Sequence, residues 1–129
     1  MTKTILIVED ETPLRNVLSD KLKKENFNVL AAKNGQEGLD LALTKNPDLI
    51  FLDIIMPVMD GFTMVQKLRE TETKSGKLAG QHIPVIFLTN LSDEASLSTG
   101  QKEGVYEHLV KSSWTLDGLV KKAKSTLNI

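Results

Sequence analysis

The chain has no cysteine, which removes disulfide frameworks, thiol nucleophiles and cysteine-ligated zinc from the functions open to it. Histidine is nearly as scarce: His82 and His108 are the only two, too few to build a His-rich metal site. No stretch holds the eighteen or more apolar residues of a membrane span. The opening Met1-Thr2-Lys3-Thr4 runs straight into a strand-like segment instead of a signal peptide, so a cytoplasmic location without membrane insertion is the expectation. Neither sign of charge dominates. Lys and Arg number 16 against 17 Asp and Glu, a formal net charge of −1, which leaves out the basic stripe of a nucleic-acid binder. There is no internal repeat and no low-complexity tract, and 129 residues suit one compact domain. Residues 1–129 are therefore expected to form a single domain, with no room for a second.

What is present is an alternation of apolar runs and helical patterns. Ile5-Leu6-Ile7-Val8 reads as a β-branched strand, and Thr12-Pro13 as an N-cap followed by proline in the first helical position, with Leu14, Val17, Leu18 and Leu22 on one helical face. Asn28 to Ala32 reads as a second strand. Asn34 caps a helix carrying Leu39, Ala42 and Leu43 until Pro47 stops it. Between Asp48 and Asp53 every residue is apolar, the pattern of a strand buried on both faces. Asp60 caps a third helix with Phe62, Val65 and Leu68. A fourth strand, from Pro84, ends at Thr89. Asp93 to Glu103 is a polar helix candidate, Val105 to Val110 a fifth strand, and Leu116, Leu119, Val120, Ala123 and Leu127 a final amphipathic helix. Five strand–helix units predict an α/β fold with a parallel sheet and helices on both faces. Thr71 to Gln81, with Gly76 and Gly80, reads as a surface extension or as a partner-contact loop.

In such a sheet the carboxyl ends of the strands share one edge, where ligands bind. Glu9 and Asp10 follow the first strand, Asp53 the third, Thr89 the fourth and Lys111 the fifth. Acidic residues at strand ends also serve as helix caps and solvated turns. Three carboxylates brought together, however, repel by roughly 4 kcal/mol per pair at ~4 Å and an effective dielectric of about 20. A hard divalent cation relieves that repulsion, and Mg²⁺ favours one or two carboxylates together with water and phosphate oxygens. A carboxylate that attacks phosphorus needs an ion, a hydroxyl or N–H, and a cation around the phosphoryl oxygens. Asp53, Glu9 with Asp10, Thr89 and Lys111 supply that set.

With these residues in this order the chain resembles the receiver domain of two-component response regulators, and is similar to the single-domain chemotaxis-type members. The resemblance runs from Ile5-Leu6-Ile7-Val8-Glu9-Asp10-Glu11 through Leu52-Asp53-Ile54-Ile55-Met56-Pro57-Val58-Met59-Asp60-Gly61 to Leu88-Thr89 and Val110-Lys111. It implies a flavodoxin-like, doubly wound (βα)5 fold with a five-stranded parallel sheet and five helices. It implies Asp53 as the phosphoacceptor, charged by a sensor histidine kinase or a histidine phosphotransfer protein, in a phosphorelay read by a downstream protein. Mg²⁺, or Mn²⁺ in its place, would be held by Glu9, Asp10, Asp53 and the carbonyl of Ile55. Thr89 and Lys111 would hold phosphoryl oxygens. The resemblance implies a switch and not an enzyme with external substrates: the only chemistry is phosphorylation and dephosphorylation of Asp53 itself.

The chain departs from the family's commonest pattern at four positions. Glu9 stands where an aspartate is frequent, a replacement the family also uses. Asn90 follows Thr89 in place of a small residue and brings an amide to the phosphoryl site. His108 takes the position of the switch aromatic, open to reading as a switch residue or as a surface polar residue. Ser112 follows Lys111 in place of a proline usually preceded by a cis bond, which costs about 2.5–4 kcal/mol before a non-proline. Trp114 reads as a staple for the last helix or as a partner anchor. Two other classes fit less well. A dehalogenase-like phosphatase needs a second Asp at the position of Ile55, and a dinucleotide carrier needs a glycine-rich turn after the first strand. The alternative ranked second is a degenerate receiver acting as a phosphorylation-independent docking module.

Overall fold

A computed structural model of the chain describes residues 2–78, 81–89, 107–110 and 115–129, with Thr89 and residues 107–110 described through their backbone. The elements alternate: β1 (Thr4–Val8), α1 (Thr12–Lys24), β2 (Asn28–Ala32), α2 (Gly35–Lys45), β3 (Leu49–Asp53), α3 (Gly61–Lys74), β4 (Val85–Thr89), β5 (Glu107–Val110) and α4 (Leu116–Leu127). The five strands form one sheet in the order β2-β1-β3-β4-β5, and every pairing is parallel. This is the flavodoxin-like order, which reverses direction at β1 and β3 and so opens a crevice at their carboxyl ends. The helix expected over Asp93–Glu103 lies outside the described residues, as do Asn90, Lys111, Ser112 and Trp114. Among the described residues no helix is long and apolar enough to cross a membrane.

The central strands are apolar on both faces because both faces are covered. Leu6, Val8, Ile50, Leu52, Val85 and Phe87 join Leu39 and Ala42 of α2 and Met64, Val65 and Leu68 of α3 in one core. Ile5, Ile7, Leu49, Phe51, Ile86 and Leu88 point the other way, onto Leu18 and Leu22 of α1 and Leu119, Val120 and Ala123 of α4. Alternate residues of each strand thus feed opposite cores, as the two-residue period of a strand requires. All five residues of β3 are buried, and its register sets Ile50 against Leu6 and Asp53 against Leu88. The two carboxylates that bracket this run do different work. Asp48, at the entry, accepts a hydrogen bond from the Thr4 amide at 2.8 Å and ties β3 to the start of β1. Asp53, at the exit, belongs to the crevice.

Two local expectations change. Thr12 is the first residue of α1 and not its cap: the cap position is Glu11, whose side chain makes no capping bond, while the Thr12 hydroxyl accepts from Arg15 Nη2 at 3.2 Å. The caps expected at Asn34 and Asp60 hold, their side chains accepting from the amides of Glu37 and Thr63, and Thr115 caps the last helix by accepting from the Gly118 amide. Helix α3 also continues through Lys74, so Thr71–Lys74 is helical and the connector begins only at Ser75. The cause is Glu72. Its carboxylate is buried, pairs with Arg69 at 2.7 Å and accepts from the Ile83 amide at 2.7 Å. A buried carboxylate is costly unless paired and hydrogen-bonded, and this one bolts the last turn of α3 to the entry of β4.

Candidate functional site

Strand ends bring the acidic residues together. Glu9 continues the β1 ladder by one bond, its amide donating to the Ala32 carbonyl at 3.0 Å. Asp10 follows in the turn into α1, and Asp53 closes β3 next door. One carboxylate oxygen from each of Glu9, Asp10 and Asp53 lies within 4.8 Å of the other two. Glu9 and Asp53 are buried and Asp10 is exposed. At that separation each pair repels by on the order of 3–4 kcal/mol at an effective dielectric of about 20. Part of this is offset by the positive end of α1, which begins two residues after Asp10.

The loop after Asp53 is folded back tightly. Gly61, first residue of α3, donates its amide to the Ile54 carbonyl at 2.8 Å, and a Cβ at Gly61 would fall 2.5 Å from the Asp53 carbonyl oxygen. Only glycine lets α3 start against the backbone of Asp53 itself. The Met59 amide donates to the Pro57 carbonyl at 2.8 Å around Val58, whose φ is 71°, a three-residue turn that strains a β-branched side chain. Gly35 of α2 donates to the Met59 carbonyl at 3.1 Å, and a Cβ there would sit 2.3 Å from that oxygen. The loop is therefore clamped between α2 and α3. Ile54, Met56 and Met59 are buried, while Ile55 and Val58 are 65% and 82% exposed.

Of the residues singled out in the sequence, the structure brings Glu9, Asp10 and Asp53 into one cluster. Ile55 lies two residues beyond Asp53 with its side chain turned out. Thr89 ends β4, one residue past the Leu88 that faces Asp53, and pairs with Val110. His108 lies within β5, opposite Phe87, with its side chain outside the described residues, and Lys111 is outside them altogether. Sequence reading missed Arg15. Its Nη1 donates to the carbonyls of Glu9 at 2.8 Å and Asp10 at 3.4 Å. The available signal was a cation at the start of a helix, where the dipole disfavours it unless local acceptors compensate.

Three carboxylates clustered at the carboxyl edge of a parallel sheet, where its strand order reverses, define a doubly wound α/β protein whose described residues form an acidic site there. Comparison with known proteins places it further. A family model described as the response regulator receiver domain matches residues 5–124, and the chain belongs to that family. It is 36% identical over 111 residues to the transcriptional regulatory protein SrrA of Staphylococcus aureus, covering 86% of this chain and 42% of that protein. It is 35% identical over 109 residues to the probable transcriptional regulator ycf27 of Cyanophora paradoxa, covering 84% and 42%. The chain thus spans about two fifths of the length of these curated relatives. Among solved structures it superposes on the chemotaxis protein CheY4 of Vibrio cholerae with a TM-score of 0.84 at 27% identity, covering 98% of this chain and all of that one. Receivers of this family carry phosphorylation-based signals in two-component systems and interact with histidine kinases or phosphotransfer proteins.

Proposed function

We propose that Asp53 accepts a phosphoryl group from the phosphohistidine of a sensor kinase or phosphotransfer protein, and that the chain is a switch with no turnover of external substrates. The observation that carries the reading is the convergence of Glu9, Asp10 and Asp53 within 4.8 Å at the point where the sheet reverses. Two buried carboxylates beside an exposed one, with no nitrogen or sulfur donor among them, fit a hard cation such as Mg²⁺ or Mn²⁺. The side chains of Glu9, Asp10 and Asp53 and the carbonyl of Ile55 would hold it. When bound, the ion supplies the positive charge that lets phosphoryl oxygens approach this crevice.

The chain's own residues do the rest. An Asp53 carboxylate oxygen forms a bond to phosphorus as the phosphorus–nitrogen bond breaks, and the donor imidazole leaves with the electron pair and takes up a proton. Burial of Asp53 on a rigid central strand fixes the attacking oxygen, and the clamp of Gly35 and Gly61 on the following loop keeps it there. The Thr89 hydroxyl and the Lys111 ammonium take the remaining phosphoryl oxygens. Thr89, shifting toward the new group, passes the change to His108 and so to the surface read downstream. Reversing a 1:99 population to 99:1 takes about 5.5 kcal/mol of differential interaction, within reach of a few charge-assisted hydrogen bonds of about 1.5–3 kcal/mol each. The test is mass spectrometry of the intact chain after incubation with acetyl phosphate and Mg²⁺. One acid-labile phosphoryl group should appear on the native chain and none on Asp53→Asn; undiminished labelling of that variant would move the acceptor elsewhere.

A further inference from the structure

We infer that Arg15 is the positioning residue of the acidic crevice, setting its preference for a small divalent cation over a large one. The inference rests on the reading of that crevice as a Mg²⁺ site. Consecutive residues of an extended chain point to opposite faces, and Glu9 still bonds the β2 backbone as a strand residue does. Yet the Asp10 carboxylate lies within 4.8 Å of those of Glu9 and Asp53. The chain must therefore turn sharply between Glu9 and Asp10, and the turn directs both their carbonyls toward α1. Arg15 meets them. Nη1 donates to the Glu9 carbonyl at 2.8 Å and the Asp10 carbonyl at 3.4 Å, while Nη2 donates to the Thr12 hydroxyl at 3.2 Å.

A guanidinium suits this work because it is planar and always charged, with donors in a fixed fork; a lysine ammonium carries the same charge without the fork. Charge and geometry then predict opposite signs. A cation beside a cation site repels the ion, so on charge alone its removal tightens binding. As a clamp on the turn that aims two ligands, its removal weakens binding. Geometry also separates the ions: Mg²⁺ demands a near-ideal octahedron, whereas Ca²⁺ accepts irregular sites with more ligands. A loosened turn penalises Mg²⁺ and largely spares Ca²⁺.

The experiment titrates MgCl₂ and CaCl₂ at constant ionic strength into the full chain, followed by amide chemical shifts, for the native protein, Arg15→Gln, Arg15→Lys and Thr12→Val. Urea midpoints are measured in parallel. Both arginine variants should raise the Mg²⁺ dissociation constant about tenfold, the scale seen when groups orienting metal ligands are removed, and the Ca²⁺ constant by less than about twofold. Thr12→Val should move it less, in the same direction. Equal changes for the two ions, or an Arg15→Lys variant indistinguishable from native beside a tighter Arg15→Gln, would reduce Arg15 to a charge and overturn the inference. If Arg15→Gln fails to fold, a native Mg²⁺ to Ca²⁺ ratio in the other two variants overturns it equally. A native chain that binds no Mg²⁺ rejects the underlying metal site instead, an outcome distinct from any of these.

Discussion

Replacing Gly61 by alanine tests how tightly the acceptor is held. The added methyl would lie 2.5 Å from the Asp53 carbonyl oxygen and 3.1 Å from Ile54 Cα. Ordinary contact begins at 3.4 Å, so going from 2.5 to 3.4 Å requires a displacement of about 0.9 Å between the two segments. Both obstructing atoms are backbone, and no flexible side-chain end can give way. Overpacking of this kind costs about 1–3 kcal/mol, and alanine's better helix propensity returns at most about 1 kcal/mol. The expected loss is about 1–2 kcal/mol, read as a lower urea midpoint at unchanged slope. Function should suffer more than stability, because a 1 Å misplacement of a reacting group can cost about 10²-fold in rate. Labelling by acetyl phosphate should slow by about 10- to 100-fold at saturating Mg²⁺. An alanine variant with native stability and native labelling would show that α3 does not press on Asp53, and the clamp argument would fail.

Val58→Gly should stabilise the chain. A left-handed backbone costs an L-residue roughly 1–2 kcal/mol, the Val58 side chain is 82% exposed, and glycine's greater unfolded-state freedom takes back about 0.4–1 kcal/mol; thermal unfolding should therefore move up by a few degrees, and a fall would mean the side chain makes contacts that outweigh the strain. Lys21 on α1 and Asp117 on α4 lie 2.9 Å apart, and their hydrogen bond, reinforced by charge attraction, holds the Asp117 carboxyl below its ordinary 3.8 and the Lys21 ammonium above its ordinary 10.5. The depressed carboxyl contributes stability above the unfolded aspartate range that is lost as pH falls through the folded value, and the raised ammonium contributes stability that is lost as pH rises through its own. Carbon-detected titration should find the Asp117 midpoint below 3.8 and returned upward in Lys21→Met; an unmoved midpoint would dissolve the pair.

The features legible in the sequence are those whose physical signals are local. Two-sided burial of β1 and β3 shows as unbroken apolar runs, and Asp53 stands out because one such run ends on it. The meeting of Glu9 with Asp10 is invisible to strand periodicity, which would part neighbours; it needs the turn that Arg15 holds. Thr12 followed by Pro13 imitates a cap and first turn, but the helix begins at Thr12, whose hydroxyl is taken by Arg15. The end of α3 was illegible for a related reason: Thr71-Glu72-Thr73-Lys74 is polar throughout, and its buried member is a carboxylate, which composition assigns to the surface. Val17 misleads in the opposite sense, apolar on the reading of α1 yet 47% exposed, because the inward face of the helix is centred on Leu18 and Leu22.

Whether Glu9, Asp10 and Asp53 form a cation-dependent phosphoryl acceptor site is decided by beryllofluoride, which stands in for a phosphoryl group on a carboxylate. Amide shifts are followed in the native chain and in Asp53→Asn, with and without Mg²⁺. If the three residues do form that site, Asp53, Gly61 and Thr89 should shift in the native chain only when beryllofluoride and Mg²⁺ are both present, and Asp53→Asn should show no such shift. Shifts that persist without Mg²⁺, or that survive in Asp53→Asn, would show that they do not.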